Sequence, residues 1–265
     1  MLLEKKKRNQ MKKNDFNDEL HTLTRSEDGS CTAYSKEYDE HYHSTKDGAL
    51  SESLYKHVIP AFKHIQGKKS VTILDICYGL GFNTLATILY YQQHASDIKL
   101  RIYSPELDSV LVASLIHFEY PKEFEGLRVI IDTLSKKGVY EDDYLFIELF
   151  LGDAREYVGE FENFFDVVYQ DAFSPSSNPV LWTQEYFADI KKAMKEDGIL
   201  TTYSTALKTR LALHYNGFRI YLNKGESFRN ATLASFKPID GYEEIDMKHK
   251  ITCNPNTQPF YDKDI

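Results

Sequence analysis

The chain has 265 residues, a length that favours one large domain or one domain with appendages. Hydrophobic residues make up 42% and charged residues 27% of it, which excludes wholesale disorder and allows a core that needs no metal or disulfide. Its 40 acidic and 32 basic residues give a net charge of -8, which argues against a general polyanion binder with a uniformly positive surface but allows a nucleic-acid substrate held at one local patch.

Cysteine usage and hydropathy restrict the protein further. Cys31, Cys77 and Cys253 lie far apart and form no CxxC pair, so we expect reduced thiols and no metal site. The basic N-terminus has no apolar stretch behind it, and no apolar run reaches the roughly 18 residues that span a bilayer. We therefore expect a cytoplasmic protein that makes no membrane contact.

Polar and charged residues dominate the first 30 positions, where we expect a frayed arm or a short hairpin. The segment ALSESLYKHVIPAFKHI then has helical spacing, with Val58 and Phe62 on its apolar stripe. After a polar break, the run Val71–Ile76 predicts a buried strand, which ends in a glycine-containing turn and leads at once into a helix.

The same pattern continues along the chain. The segments KLRIYSPE, YLFIELFLGD, FFDVVYQD and GILTTYS predict four further buried strands, each ending in a polar turn. Strands that alternate with helices indicate an α/β fold, with a mostly parallel sheet covered on both faces. GFRIYLN and NATLASF alternate like an antiparallel pair at its end. We expect an arm at 1–33, the main domain at 34–237 and a C-terminal extension at 238–265.

The turn after the first strand of this sheet suggests a ligand site. Gly79 and Gly81 let the backbone turn sharply and approach a ligand closely, and the next helix offers unpaired N–H donors. A dinucleotide fingerprint would have a third glycine where Thr84 stands, and Asp75 would repel a pyrophosphate. This carboxylate suits the cationic end of an amino-acid-like cofactor, with an ordinary strand-to-helix turn as the alternative.

Two more acids follow the next strands. Glu106 comes 25 residues after the second glycine, where a carboxylate can accept both hydroxyls of a ribose. Asp153 follows the third strand and can take an adenine amino group. Either acid alone is more often a solvated loop residue, but three strand-end acids in this order predict an S-adenosylmethionine site.

The fourth strand ends at Asp171, in the crevice where doubly wound folds bind ligands. Phe173 and Pro175 make the following loop apolar and stiff, and Phe173 is placed to stack on a base. We expect Trp182 to pack in the core. For Asp171, a structural cap on the turn is the alternative to a chemical role.

ILDICYGLGFN followed by YQDAFSPSSNPVLWTQEYF resembles the MnmC-like family of tRNA 5-methylaminomethyl-2-thiouridine methyltransferases. That family has an ExGFGxGLN loop and a DGFAPxxNPxxW motif. STKDGALSESLY resembles its S-x-D-G-L-x-E-x-x-Y segment, and GFRIYLNKGESFRNATLAS resembles its terminal basic segment. The similarity runs from about residue 34 to 235, and the string from Asp171 to Trp182 is its most specific part.

The resemblance implies a Rossmann-like class I methyltransferase, with an antiparallel terminal strand and helices on both faces. It would transfer a methyl group from S-adenosylmethionine to the 5-aminomethyl amine of a wobble (2-thio)uridine in tRNA, where Asp171 orients the amine and accepts a proton. The expected cofactor-binding residues are Asp75, Cys77, Gly79, Gly81, Asn83, Glu106 and Asp153. The expected substrate-binding residues are Glu52, Phe173, Pro175, Lys224 and Arg229. The resemblance also allows for contact with other wobble-uridine modification enzymes.

The chain departs from the family pattern at several positions. Cys77 replaces the first loop glycine, Ala172 replaces another glycine, and Asn230 replaces one member of a basic pair, leaving Arg229. No residues remain for the FAD-dependent oxidase domain of two-domain members, so the chain resembles the stand-alone methyltransferase. Two alternatives stay open: an aminopropyltransferase of the spermidine-synthase type, and a non-catalytic S-adenosylmethionine-binding module of a tRNA-modification assembly.

Overall fold

The computed structural model describes residues 16, 20–27, 29–225 and 228–265. Most of the predicted N-terminal arm, with its run of lysines, lies outside the described residues. The described chain forms a small N-terminal sheet and a large central sheet covered by helices.

The N-terminal sheet has three antiparallel strands, β1 (His21–Arg25), β2 (Cys31–Ser35) and β3 (Glu40–His41). Its first two strands form a hairpin, one of the two structures that we expected there. The boundary that we placed between residues 33 and 34 falls inside β2, because this hairpin continues into the turn at residues 36–39.

The central sheet has nine strands. Their bounds are β4 Ser70–Ile76, β5 Lys99–Glu106, β6 Val139–Glu141, β7 Leu145–Leu151, β8 Phe165–Gln170, β9 Met194–Thr202, β10 Arg219–Asn223, β11 Ala231–Ser235 and β12 Glu243–Glu244. Their order is β12-β10-β11-β9-β8-β4-β5-β7-β6. The five central strands are parallel to one another, and they are β9, β8, β4, β5 and β7. Antiparallel strands complete both edges of the sheet.

The central strands are parallel because both of their faces are covered. All residues of Val71–Ile76 and Phe165–Gln170 are buried, as expected for parallel strands between two helical layers. Side chains of a strand alternate between the faces, so Ile73 joins the core on one side and Leu74 the core on the other. The predicted α/β class and the mostly parallel sheet are confirmed.

Helices pack on both faces of this sheet. They are α1 Ala49–Glu52, a π-helical turn Ser53–Val58, α2 Ile59–His64, α3 Phe82–His94, α4 Ser109–Ser114, α5 Arg128–Lys137, α6 Ala154–Gly159, α7 Gln184–Ala193, α8 Leu207–Tyr215 and α9 Met247–Cys253. Short 3₁₀ turns lie at Leu115–His117, Lys122–Leu127, Pro179–Leu181 and Asp262–Asp264. The core beneath α3 to α5 contains Leu85 and Ile131, whereas that beneath α6 to α8 contains Tyr186 and Trp182.

The C-terminal residues pack against the second helical layer. Phe260 forms a parallel bridge with Thr183, and its carbonyl accepts a hydrogen bond from the Gln184 N–H at 2.8 Å. The Arg155 guanidinium pairs with Asp262 at 2.7 Å. The segment after residue 238 is thus attached to α6 and α7. The division of the chain into arm, domain and extension stays a prediction.

Candidate active site

A cavity of about 700 Å³ opens at the carboxyl ends of the parallel strands. The turns that follow β4, β5, β7 and β8 line it together, and the turn between β2 and β3 contributes from the N-terminal sheet. Its volume lies within the range of roughly 300–1,000 Å³ that small-molecule sites occupy. Open α/β sheets bind ligands at this edge, so the fold itself points to this cavity.

The turn after β4 depends on two glycines. Gly79 and Gly81 have φ angles of 53° and 78°, in the left-handed region that L side chains rarely adopt. A Cβ at Gly79 would lie 3.0 Å from the Tyr42 ring, and one at Gly81 would lie 2.7 Å from the Tyr78 ring. Cys77 stands at the first glycine position of the loop, also has a positive φ of 64°, and lines the cavity.

Glu106 ends β5 with both carboxylate oxygens held by the backbone. Oε2 accepts a hydrogen bond from the Gly79 N–H at 2.8 Å, and Oε1 accepts one from the Asp108 N–H at 2.9 Å. Burial raises the pKa of Glu106 above its ordinary value, although these bonds act in the opposite direction. The two bonds fix the carboxylate at the cavity wall.

Asp153 follows β7, the neighbouring strand. It begins α6 and accepts a hydrogen bond from the Arg155 N–H at 2.7 Å. Because Glu106 pairs with Leu151 across β5 and β7, the two acids lie on adjacent turns, and both line the cavity.

Asp75 lies apart from the other acids predicted to bind the cofactor. Its side chain is 1% exposed and is not part of the cavity lining. Oδ2 accepts a hydrogen bond from the Thr84 hydroxyl at 2.7 Å, which ties the strand to α3 beneath the glycine turn. Burial raises the pKa of Asp75 to about 8. In this geometry the side chain supports the turn from below, and its role in cofactor binding stays a prediction.

Asp171 projects from the end of β8 into the cavity. Its Oδ2 accepts a hydrogen bond from the Asn83 side-chain amide at 2.7 Å. Its Oδ1 lies 3.4 Å from Nε2 of His57, a fully buried residue of the π-helical turn. Asn83 also lines the cavity, so the loop after β4 and the end of β8 meet at this carboxylate.

Glu52 reaches the cavity from the end of α1. Its Oε1 pairs with the buried Lys56 ammonium at 2.5 Å, and its Oε2 accepts a hydrogen bond from the Ser44 N–H at 2.8 Å. Burial alone would raise the pKa of Glu52, but its contacts with His43 and Lys56 lower it well below the ordinary range. The side chain therefore stays a carboxylate.

Aromatic rings enclose the cavity beside Asp171. Phe173 stacks on Tyr38 with ring centroids 4.6 Å apart and contacts Tyr42 at 4.9 Å. The buried Trp182 indole donates a hydrogen bond to the Phe173 carbonyl at 2.7 Å, which holds the loop. Trp182 is thus a core residue, as expected, that also positions a residue of the cavity.

Of the remaining residues predicted to bind substrate, one lines the cavity and two do not. Arg229 lines the cavity and is exposed. Lys224 is exposed but does not line the cavity. Pro175 lines a second cavity, next to α8 and the C-terminal residues, and not the cavity that Asp171 lines. Its contact with substrate stays a prediction.

Comparisons with known proteins show which family the chain is similar to. A family model described as S-adenosyl-L-methionine-dependent methyltransferase matches residues 128–238. An uncharacterized protein of Methanocaldococcus jannaschii is 35% identical over 255 residues, covering 93% of this chain and 69% of that protein. The crystal structure of MnmC2 from Aquifex aeolicus superposes with a TM-score of 0.79 at 30% identity, covering 99% of this chain and 91% of that one.

The chain belongs to the MnmC2 family of methyltransferases. It is also 29% identical over 213 residues to the tRNA 5-methylaminomethyl-2-thiouridine biosynthesis bifunctional protein MnmC of an Azoarcus species. That match covers 75% of this chain, which spans only about a third of the length of that bifunctional relative.

The cofactor of this MnmC2-like methyltransferase is S-adenosylmethionine. The residues of the cavity fit such a group. Two carboxylates, Glu106 and Asp153, lie on adjacent turns, where a nucleoside offers hydroxyl and amino donors. Gly79 and Gly81 let the Tyr42 and Tyr78 rings pack directly against the turn beside the cavity, where a Cβ would be too close to these rings.

Asp75→Asn is expected to make the stability of the methyltransferase less dependent on pH. Between pH 4 and pH 8, folded Asp75 keeps a proton that the unfolded chain loses. Its contribution to the free energy of unfolding therefore falls by about 1.4 kcal/mol per pH unit as the pH rises. Urea unfolding of both proteins across this range measures the difference, with exposed Asp240→Asn as control. Equal pH slopes for wild type and Asp75→Asn would contradict this assignment.

The sequence reasoning missed two residues that line the methyltransferase cavity and one buried residue that lies behind Asp171. Tyr38 and Tyr42 belong to a polar, Tyr-rich segment whose contact with Phe173 has no local signal. His57 lies in a helix before the first strand of the central sheet, and its only sequence signal was a titratable residue on an otherwise apolar stripe.

Among the described residues, no group of three or more His, Cys, Asp or Glu side chains is arranged to hold a metal ion. In the same part of the chain, no helix is long and apolar enough to cross a membrane.

Proposed function

We propose that this methyltransferase acts on tRNA in the cytoplasm and methylates the 5-aminomethyl amine of a wobble (2-thio)uridine. The observation that carries the proposal is the position of Asp171 in the cavity. This carboxylate faces the cavity from the end of β8, is held by Asn83 at 2.7 Å, and shares the cavity with Glu106 and Asp153. The similarity to MnmC proteins supports the choice of substrate class.

In this proposal the turns that follow β4, β5 and β7 hold the cofactor. Glu106 is fixed by two backbone N–H groups and accepts the ribose hydroxyls, and Asp153 takes the adenine amino group. Cys77, Gly79 and Gly81 form the close turn beside it, and Asn83 joins the cofactor side to Asp171. S-adenosylmethionine supplies a methyl group on a sulfonium, which an amine attacks directly.

The protein then has to provide a free amine in the correct position. A primary aminomethyl group is mostly ammonium at neutral pH and has no lone pair for attack. Asp171 binds the ammonium and accepts one proton from it, which leaves a lone pair on nitrogen. This lone pair forms the nitrogen-to-methyl bond as the methyl-to-sulfur bond breaks, with the electron pair of that bond going to sulfur. Holding both groups in one closed cavity removes most of the entropic barrier. The carboxylates Glu40 and Glu52 also line the cavity and attract a cationic amine.

The other side of the cavity receives the nucleotide. Phe173 offers an aromatic face beside Asp171, where a uracil extruded from the anticodon loop stacks. Arg229, between β10 and β11, lines the same cavity and is exposed, so it can contact the phosphate backbone of an incoming RNA. The lysines of the N-terminal arm, which the sequence offers as further phosphate contacts, lie outside the described residues.

Arg229→Ala is expected to raise the KM for tRNA several-fold and leave the affinity for S-adenosylmethionine unchanged. Each phosphate contact contributes roughly one to the slope of log affinity against log salt concentration. The slope measured for the variant should therefore be smaller by about one. Steady-state kinetics at several salt concentrations measure both effects. Lys248→Ala removes an exposed positive charge from α9 and serves as control. A KM and salt slope equal to those of wild type would remove Arg229 from the interface.

The proposal is tested by incubating the protein and methyl-labelled cofactor with tRNA that carries 5-aminomethyl-2-thiouridine, followed by mass spectrometry of the nucleosides. We expect one labelled methyl group on the aminomethyl nitrogen. A parallel reaction with decarboxylated cofactor and a polyamine tests the aminopropyltransferase alternative. Turnover there, or no turnover with either substrate while cofactor still binds, would overturn the proposal.

A further inference from the structure

His57 is a fully buried titratable residue in direct proximity to Asp171. Its Nδ1 lies 2.7 Å from the Thr201 hydroxyl, and its ring packs edge-on against Tyr169. Its Nε2 lies 3.4 Å from Asp171 Oδ1 and has no hydrogen-bond partner at ordinary distance. A buried imidazole nitrogen without a partner is costly, so the orientation towards a carboxylate needs an explanation.

The backbone around His57 is also unusual. It lies in the π-helical turn Ser53–Val58, where the Ile59 N–H bonds to the Leu54 carbonyl five residues back. Pro60 follows and has no N–H to donate to the Lys56 carbonyl, which favours the wider turn. The turn buries Lys56 and His57 side by side, and Lys56 is already neutralised by Glu52.

The hydrogen bonds around Asp171 indicate a role for this imidazole. Asp171 Oδ2 is bound by the Asn83 amide, so Oδ1 is the oxygen that remains for a second partner. If the Thr201 hydroxyl donates to Nδ1, then the single proton of a neutral imidazole lies on Nε2 and points at Oδ1. The 3.4 Å separation exceeds an ordinary bond of about 2.7–3.2 Å, and bonds in active sites often tighten only when substrate is bound.

We propose that His57 is a positioning residue for Asp171. Its Nε2–H donates to Oδ1 while Asn83 donates to Oδ2, so the carboxylate is held from both sides and keeps one orientation towards the substrate amine. Thr201 acts one step further away and selects the tautomer. This inference rests on the proposed function, and it adds the arrangement of a base oriented by a third group.

His57→Phe tests the role with little change of volume. We expect kcat to fall about 100-fold, the effect of misplacing a reactive group by about 1 Å, while the KM for tRNA and the affinity for S-adenosylmethionine stay within twofold. A purely structural role would lower cofactor affinity and thermal stability together with kcat. Wild-type kcat in this variant would overturn the inference.

Thr201 provides the independent variant. Thr201→Val removes the hydroxyl and should lower kcat about tenfold, Thr201→Ser should restore it, and Thr201→Val should have no further effect in the His57→Phe background. The control is Thr202→Val, the next residue on β9, whose hydroxyl accepts a hydrogen bond from the Ser204 N–H instead. Additive effects of the Thr201 and His57 variants would contradict action through the imidazole. If His57→Phe does not fold, the single variants still test the inference, and wild-type kcat in Thr201→Val would overturn it.

A spectroscopic measurement separates this inference from the proposed function. The nitrogen NMR spectrum of histidine-labelled protein, assigned by the signal lost in His57→Phe, reports which ring nitrogen carries the proton. We expect the Nε2–H tautomer in wild type and a mixture in Thr201→Val. An Nδ1–H tautomer would overturn the inference. If wild type methylates no tRNA, the proposed function fails, whereas this spectrum still decides the role of His57.

Discussion

Asp171→Asn is expected to abolish most methyl transfer and leave cofactor binding intact. The substitution keeps the shape of the side chain and an oxygen that accepts the hydrogen bond from Asn83. It removes the negative charge that binds the ammonium and the site that accepts its proton. A positioned proton acceptor contributes about 10²–10⁴-fold to a rate, so the rate constant of a single turnover should fall by that factor.

The measurement is single-turnover methylation of undermodified tRNA with labelled cofactor, together with calorimetry of S-adenosylmethionine binding. Asp240→Asn, the same change at an exposed position, is the control for the substitution itself. If Asp171→Asn turns over at the wild-type rate, Asp171 is the structural cap that the sequence left open. If it loses cofactor affinity instead, the carboxylate belongs to the cofactor site.

The central sheet was predictable because its signals are local. Val71–Ile76 reads as a continuous buried strand, and the glycine turn and helix follow at once. The stretch from Thr133 to Asp143 had no such signal. It contains the end of α5 and β6, an edge strand of only three residues that pairs with β7. Three residues are too few to show the alternation of apolar and polar residues that predicts a strand. β6 is therefore recognised only from its pairing with β7.

The position of the cavity was equally predictable, since the carboxyl ends of parallel strands meet at one edge of the sheet. Glu106, Asp153 and Asp171 follow three such strands and line one cavity. Asp75 belongs to the strand itself, where successive side chains point to opposite faces, and its own face lies under α3. The sequence showed that a carboxylate stood near the strand end but not which surface it would face.

Glu106→Gln is expected to weaken S-adenosylmethionine binding about tenfold to a hundredfold. A hydrogen bond to a charged group contributes about 1.5–3 kcal/mol, and each 1.4 kcal/mol is about tenfold in affinity. The amide has a second effect. Both oxygens of Glu106 accept from backbone N–H groups, so the new NH₂ must face a donor, either at Gly79 or at Asp108. The glycine turn loses one of its supports together with the charge.

The pH dependence of S-adenosylmethionine binding separates the two effects of Glu106→Gln, the lost charge and the weakened glycine turn. Burial raises the pKa of Glu106, so wild-type affinity should fall on acidification at a higher pH than for an ordinary glutamate. Glu106→Gln cannot titrate and should lack this transition, whereas exposed Glu123→Gln should keep it. Calorimetry between pH 5 and pH 8 makes the comparison. An unchanged affinity in Glu106→Gln, or the same acidic transition in both variants, would mean that a different group binds the ribose and that the cofactor lies elsewhere in the cavity.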